Sequence, residues 1–374
     1  MSNINSLIFK APINSLSFGN VSFNLIREMY RRNMNVAMFP IGNDISFESF
    51  GSQIGDDFKV WLDTSINQRH KISKADWPML QLWHLQNSWE TIGSSKAPKV
   101  LYTFHEINGA TDTEKNAVSM QDAVIFSSKF SEGVFRDAGC DNVYSAGVGF
   151  DSDSFYTDNS KRLTSDKITF SLIGKFEQRK NTKRIIETWI KRFGGDMRYM
   201  LNLCIYNTFF SQEDNAALLN DALGGKRIPN INVLPRLKTN EEIRQLHCAS
   251  DISLSGLSNA EGWGLPAFDH TCLGKHSLVS MNTAHKDWAS DENSITLESG
   301  SEVFAEDGAF FRRGGDFNQG TWVTFPDEDE VIHKMEIASE VCKSRNLGGL
   351  QLANNFTYKK MLDNILSVIE NLQS

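Results

Sequence analysis

This 374-residue chain carries few of the signals that would mark a disulfide-bonded, membrane-spanning or metal-clipped protein. Its 5 cysteines (Cys140, Cys204, Cys248, Cys272 and Cys342) are odd in number and far apart, with no Cys-x-x-Cys. That pattern argues against a disulfide scaffold and for reduced, mostly buried thiols. No apolar segment approaches the roughly 18 residues that a bilayer span needs. The N-terminus shows no signal-peptide pattern. Together these absences predict a cytoplasmic protein with no transmembrane segment. Basic residues are outnumbered, 38 Lys and Arg against 46 Asp and Glu, for a net charge of −8. Such a balance argues against a large nucleic-acid footprint, which needs clustered Lys and Arg, while leaving room for a local basic groove. No His, Cys and carboxylate cluster has metal-ligand spacing, so no metal is expected. Internal repeats and low-complexity tracts are also missing.

What remains is a soluble globular composition, 40% hydrophobic and 22% charged, long enough for two domains with a core each. Residues 6–10 read as a strand, 13–19 as a polar loop, Val21 to Arg32 as a helix and Val36 to Pro40 as a second strand. That β–loop–α–β unit implies a parallel, right-handed crossover. Gly19 in the loop is either a plain turn glycine or a point where a ligand approaches the backbone. Arg27, Arg31 and Arg32 read as a solvated basic face. A polar, irregular stretch follows from Asn43 to about Asp76.

Two further predicted strands, Met79 to His84 and Val100 to Glu106, each carry a histidine at the carboxyl end. Parallel sheets build their sites there, so His84 and His105 become candidates. A helix from Thr111, a strand from Asp122, a helix from Lys129 and a strand at Asn142 complete the first alternation. Gly147 to Phe155 reads as an interdomain connection. Asp151-Ser152-Asp153 falls inside it, which makes a linker reading better than a metal-binding Asp-x-Asp.

The alternation restarts at Ile168 to Lys175, a strand running into a loop with Arg179 and Lys180 before a helix from Thr182 to Phe193. Cations at a helix N-terminus oppose its dipole unless an anion sits there. Strands at Tyr199 and Ile231, a helix from Asn240, and a strand at Asp251 to Ser255 follow. They lead into Asn259-Ala260-Glu261-Gly262-Trp263-Gly264-Leu265-Pro266-Ala267-Phe268-Asp269. Here glycines permit positive φ and close backbone approach, and Pro266 suits a first helical turn. Helix N–H groups favour a phosphate, and carboxylates favour hydroxyls. A nucleotide sugar offers both. The next strand is Ser277 to Ser280, 291–326 is loop-rich, and helices cover 327–345 and 355–371.

The Glu261 to Asp269 stretch resembles the E-x7-E motif of retaining GT-B glycosyltransferases (the GT4-like group), usually Glu-Gly-Phe-Gly-Leu-Pro. Trp263 replaces the Phe, and Asp269 stands at the second Glu. The resemblance extends to the Ser-x-Phe helix start, the Gly-Val segment before Phe155, and a basic pair. For that pair the family's Gly-Arg and Lys-Gly become Gly174-Lys175 and Lys180-Asn181. Lys keeps the charge of Arg but not its planar fork, and Arg179 is placed to compensate.

The resemblance implies an α/β protein of two Rossmann-like, doubly wound domains facing across a cleft. These would be 1–155 and 156–354, with the closing helix 355–374 packing back on the first. It further implies a metal-independent, retaining transferase with no cofactor beyond its UDP- or GDP-linked nucleotide-sugar donor. Lys175, Lys180 and the backbone of Gly262, Trp263, Gly264 and Leu265 would hold the diphosphate, with Gly19 on the opposite wall. Glu261 would hold sugar hydroxyls, Asp269 the ribose and His105 the transferred sugar, making His105, Glu261 and Lys180 the catalytic set. The acceptor, a glycan or other small hydroxyl compound, would meet Trp83, His84 and Glu106, within an Asn43–Gly93 region that also holds Trp77 and Trp89. A hydroxymethylated DNA base is a second acceptor class. A nucleotide-sugar epimerase and a non-catalytic sugar-nucleotide binder are the competing functions.

Overall fold

Ala123, Val124, Ile125 and Phe126 are all fully buried, as expected of a parallel strand whose two faces are both covered by helices. The computed structural model that shows this describes residues 4–42, 45–91, 96–157 and 166–373, with the side chains at 52 and 89–91 outside the description. The chain divides into two units. One comprises Met1–Ser154, Gly314–Gln319 and Phe356–Ser374, and the other Phe155–Arg313 and Gly320–Asn355.

The first unit contains β1 (Ser6–Pro12), α1 (Ser17–Arg31), β2 (Asn35–Ile41), α2 (Asp56–Asn67), α3 (Arg69–Ile72), β3 (Met79–Leu82), β4 (Lys99–Thr103), α4 (Asp112–Ser119), β5 (Ala123–Phe126), α5 (Lys129–Asp137) and β6 (Val143–Ser145). Its six strands lie in the order β2-β1-β3-β4-β5-β6, every neighbouring pair parallel. The winding reverses between β1 and β3, and such a reversal leaves a crevice at the strands' carboxyl ends. Thr111 and Glu114 form a reciprocal capping box on α4. The C-terminal helix Tyr358–Asn371 belongs to this unit and buries Met361, Leu362, Ile365, Leu366 and Ile369.

Two expectations change here. Gly19 is not in a loop: α1 starts at Ser17, and Gly19 is buried in its first turn. A Cβ at that position would lie 2.0 Å from the Asn14 carbonyl oxygen, so the tight packing of the preceding turn requires the glycine. The polar stretch before Trp77 holds a regular helix, α2, which buries only Phe58, Leu62 and Ser65, a stripe too sparse to stand out in the sequence. Asn43, at the start of that stretch, and Gly93, at the end of the acceptor region, lie outside the described residues, as does the Trp89 side chain.

Of the α1 arginines, Arg31 is exposed and Arg32 half-buried, but Arg27 is not on a solvated face. Arg27 is 6% exposed and bonds the equally buried Asp151 at 2.7 Å. Arg31 forks onto Asp153 at 2.8 and 2.9 Å, and Arg32 reaches Asp363 at 2.7 Å. The carboxylates of Asp151-Ser152-Asp153 thus neutralise a helix of their own unit.

The second unit contains β7 (Ile168–Ile173), α6 (Thr182–Phe193), β8 (Tyr199–Cys204), α7 (Gln212–Ala222), β9 (Ile231–Val233), α8 (Asn240–Ala249), β10 (Ile252–Gly256), α9 (Leu265–Cys272), β11 (His276–Ser280), β12 (Ile295–Leu297), β13 (Glu302–Phe304), β14 (Thr321–Val323), α10 (Glu328–Val341) and α11 (Leu347–Asn355). Its six-stranded sheet runs β12-β11-β10-β7-β8-β9, again all parallel, with β13 and β14 as a separate antiparallel pair. Phe170, Leu172, Trp189, Phe193, Leu201, Leu203, Ile252 and Leu254 form the core. The winding reverses between β7 and β10, which register Phe170 against Ile252 and Ser171 against Ser253. The carboxyl ends of these two strands therefore diverge into a crevice.

Candidate functional site

The loops leaving β7 and β10 meet at that crevice and are stitched together by side chains remote in sequence. Asn181 is the last residue before α6 and has φ +53, a left-handed conformation that Asn tolerates better than most residues. Its amide Nδ2 donates to the Leu257 carbonyl at 2.9 Å and to Asn259 Oδ1 at 2.6 Å. The Asn259 N–H returns a bond to the Arg179 carbonyl at 2.8 Å. Asparagine at this position thus supplies both the turn and the cross-link.

Lys180 and Glu261 are brought together by this stitching. Lys180 Nζ sits 2.5 Å from Glu261 Oε1, and Arg179 Nη1 sits 3.3 Å from Oε2. Glu261 is 6% exposed. Burial by itself would raise its pKa, but the charges of Lys180 and Arg179, with His285 behind them, overcome this and hold the carboxyl at about 2. Arg179 is itself buried, and it donates to the Ala260 carbonyl and lies 3.2 Å from Glu177. Its guanidinium braces the two loops internally. Lys175 lies more openly, its side chain 33% exposed, 3.8 Å from Glu177 and 4.6 Å above the Phe209 ring centroid.

Beyond Glu261 the backbone turns at Gly264, with φ +84, into α9. Pro266 has no N–H, and those of Ala267 and Phe268 bond the Gly264 carbonyl, so this end of α9 offers an anion the Leu265 N–H and the positive end of the helix dipole. Asp269 follows on α9, half-buried. Trp263 is 2% exposed, its ring 5.4 Å from that of Phe268. It therefore anchors the turn from inside and presents only backbone to the crevice, a role the aromatic at this place did not reveal in the sequence.

The first unit has its own cluster at the β1/β3 reversal. Phe18, Trp83, His84 and Phe104 lie together, with Phe18 at 4.4 Å from His84, 5.8 Å from Trp83 and 4.9 Å from Phe104 between ring centroids. His84 is exposed, and Glu106 is half-buried. His105 is different. It is 5% exposed, its Nε2 bonds the Gly109 carbonyl at 2.9 Å, and its ring packs 4.9 Å from Phe135. Burial lowers its pKa. Both strands stop short of their histidines, at Leu82 and Thr103.

Behind α9, His270 and His247 pair through their Nδ1 atoms at 3.1 Å. Burial, helped by the charge of Lys275, brings His247 down to about 3 from an ordinary 6.5. The unfolded chain then takes up a proton that the folded one refuses. The stability contributed by neutral His247 is complete above pH 6.5 and is lost as pH falls toward 3. At pH 5 the loss amounts to about 2 kcal/mol. The denaturation midpoint should accordingly drop between pH 7 and pH 5, and less steeply in His247→Gln; equal slopes would rule this origin out. Among the described residues, no group of three or more His, Cys, Asp or Glu side chains could hold a metal ion.

A scan against protein-family models returns no match, and neither does a sequence search of curated proteins. Solved structures do match. Sucrose-phosphate synthase from Thermosynechococcus elongatus superposes with a TM-score of 0.69 at 13% identity, covering 99% of each chain. A glycosyltransferase from Rickettsia africae gives 0.71 at 10% identity, over 100% of this chain and 99% of that one. Anabaena HepE in complex with UDP-glucose gives 0.65 at 14% identity, over 97% and 99%. The chain has the GT-B fold. Identities this low establish that architecture and nothing finer.

Sequence reading missed the residues that brace the loop after β10: Asn282, Thr283, His285 and Trp288. Their partners lie tens of residues away, and no local pattern marks them. The positive φ of Asn181 had one faint signal, its position in place of a glycine.

Proposed function

We propose that this protein transfers a sugar from a nucleotide-sugar donor to a hydroxyl acceptor, with retention and without a metal. The observation that carries the reading is the Lys180–Glu261 pair at the β7/β10 reversal, beside the N-terminus of α9. A cation and helix N–H groups suit a diphosphate, and a carboxylate held ionised suits sugar hydroxyls. A nucleotide sugar of the kind bound by Anabaena HepE presents the two together.

In this reading Lys180 and Lys175 stabilise the negative charge that grows on the departing diphosphate. The bond from the anomeric carbon to the diphosphate oxygen breaks, and a bond to the acceptor oxygen forms on the same face. The acceptor's proton passes to the departing phosphate oxygen, so no enzyme nucleophile is required. Glu261 orients the sugar, and Asp269 binds ribose hydroxyls through its shorter side chain. His105 contributes by ordering the Glu106–Gly109 loop. Exposed His84 and the half-buried Phe18 and Trp83 offer flat faces on which a glycan ring can stack, which favours a glycan acceptor.

A thermal-shift screen against UDP, GDP, ADP and their sugar conjugates, with and without chelator, tests the reading. One nucleotide series should raise the melting temperature, since a ligand at 100 times its Kd adds about 2.7 kcal/mol. The shift should survive chelation. No shift from any nucleotide with the folded protein would remove the donor site, and a shift abolished by chelator would remove metal independence.

A further inference from the structure

The segment that follows β11 grips the Glu261–Gly264 turn at four points. Thr283 Oγ1 accepts a hydrogen bond from the Glu261 N–H at 2.9 Å. The Ala284 N–H donates to the Glu261 carbonyl at 3.3 Å. Trp288 Nε1 donates to the Trp263 carbonyl at 2.9 Å. His285 donates through Nδ1 to the Ser280 carbonyl at 3.0 Å, and its Nε2 edge lies so close to Gly264 that a Cβ there would fall 2.5 Å from it. The peptide groups flanking the Glu261 Cα are thus fixed from one side by a single short stretch of chain.

Thr283 is the unusual member. It has φ +39 and is 6% exposed. A β-branched residue in that region is strained, and such strain persists only where the surroundings over-determine it. Here they do. Its hydroxyl accepts from Glu261 and donates to Asn282 Oδ1 at 3.0 Å. Asn282 in turn donates through Nδ2 to the Ser258 carbonyl at 2.8 Å. The relay Ser258–Asn282–Thr283–Glu261 closes a loop of hydrogen bonds around the segment that delivers the carboxylate. Glycine or asparagine would adopt this backbone at lower cost, but glycine has no group to hold Glu261, and asparagine's amide extends further than a hydroxyl.

We infer that Thr283 is a positioning residue for Glu261: its hydroxyl, oriented by Asn282, sets where the carboxylate meets the sugar of the donor. The inference rests on the nucleotide-sugar reading above and adds the residue on which discrimination between a nucleotide sugar and the bare nucleotide depends. In that reading the nucleoside diphosphate is held by Lys180, Lys175 and α9, whereas the Thr283 hydroxyl bonds Glu261 and Asn282. Glu261 meets the sugar directly and the diphosphate only through its ion pair with Lys180.

The test uses the full-length protein, Thr283→Val, Thr283→Gly and Thr283→Ser, and three ligand pairs: UDP with UDP-glucose, GDP with GDP-mannose, and ADP with ADP-glucose. Calorimetry on wild type selects the pair that binds, and both members are then measured on each variant. Thr283→Val should lose about tenfold in nucleotide-sugar affinity, the size of one buried hydrogen bond. Its affinity for the bare diphosphate should fall less, because that ligand meets Glu261 only through Lys180. Thr283→Gly relieves the backbone strain yet lacks the hydroxyl, so it should melt no lower than Thr283→Val and show the same selective loss. Thr283→Ser should restore wild-type discrimination. Equal loss of both ligands, or no selective loss in Val and Gly, would overturn the assignment while leaving the donor site standing. A wild type that binds none of the six ligands would sink the donor reading, and this inference with it.

Discussion

Lys180→Ala should lower sugar transfer by about 10²–10³-fold, the range seen when one preorganised donor to a developing negative charge is removed. The loss should fall on turnover as well as on donor affinity, because charge on the diphosphate is greatest as it leaves. Stability should suffer too. Removing one partner of a buried ion pair strands the other, at about 3–5 kcal/mol when nothing compensates. Here Arg179 still lies 3.3 Å from the second oxygen of Glu261, and the Lys180 side chain is 20% exposed. A smaller penalty of about 1–3 kcal/mol follows. Adding Glu261→Gln to Lys180→Ala should recover part of that penalty, because the carboxylate is no longer stranded, while activity stays lost. Lys183→Ala is the control. Lys183 lies in the first turn of α6, three residues beyond Lys180, but pairs in the open with Asp221. Wild-type turnover and donor affinity in Lys180→Ala would dismiss the phosphate role, and strictly additive stabilities in the double variant would dismiss the pair.

Gly264→Ala should cost about 2–4 kcal/mol, the combined scale of left-handed strain and overpacking. The φ of +84 disfavours any Cβ, and the added carbon would meet His285 Nε2 at 2.5 Å. That imidazole cannot step aside easily, because it is buried and tied to the Ser280 carbonyl. Relief must come from the turn itself, which would swing the start of α9 away from Lys180. Nucleotide binding should therefore fall along with the melting temperature. Replacing His285 with alanine in the Gly264→Ala background should return some of the lost stability by opening room for the methyl group. A Gly264→Ala protein that melts and binds nucleotide like wild type would show that neither the turn nor its contact with His285 matters.

These two residues also show how far the sequence could be read. Helix α6 is fully legible from its apolar spacing, Thr182 to Phe193 in both sequence and structure. The β/α alternation is legible because parallel strands must be apolar throughout and their crossovers amphipathic. Helices such as α7 escape this logic. It buries only Ala222, so its sequence carries almost no periodic signal. The short strands β12, β13 and β14, three residues each, are too brief for alternation to register. Within the site, Lys180, Glu261 and the turn at Gly264 could be named from residue type and local spacing. Their arrangement could not. Asn181 meets Leu257 and Asn259 across 76 and 78 residues of sequence, and Thr283 meets Glu261 across 22. Such pairings arise from strand order, which is set by the whole sheet. Buried Trp263 and His105 carry the complementary lesson. Residue type alone does not show that the Trp263 ring packs on Phe268 or that His105 bonds the Gly109 carbonyl.

The chain passes from one unit to the other at 154/155, 313/314, 319/320 and 355/356. Neither half is therefore a cassette that one cut could release. A fragment ending near Ser154 would lack the C-terminal helix Tyr358–Asn371, whose buried face includes Met361, Ile365 and Ile369. It would also lack Asp363, the partner of Arg32. Residues 314–319 impose a second bond: the Asn318 N–H donates to Glu114 Oε1 at 2.8 Å, and the Asp316 carbonyl accepts from Thr111 Oγ1 at 2.6 Å, at the very cap that starts α4. A chimera that exchanges the second unit must therefore carry over this six-residue return and the terminal helix with the first. The natural grafting points are all four crossings at once, and a single-junction hybrid inherits a first unit missing part of its own core.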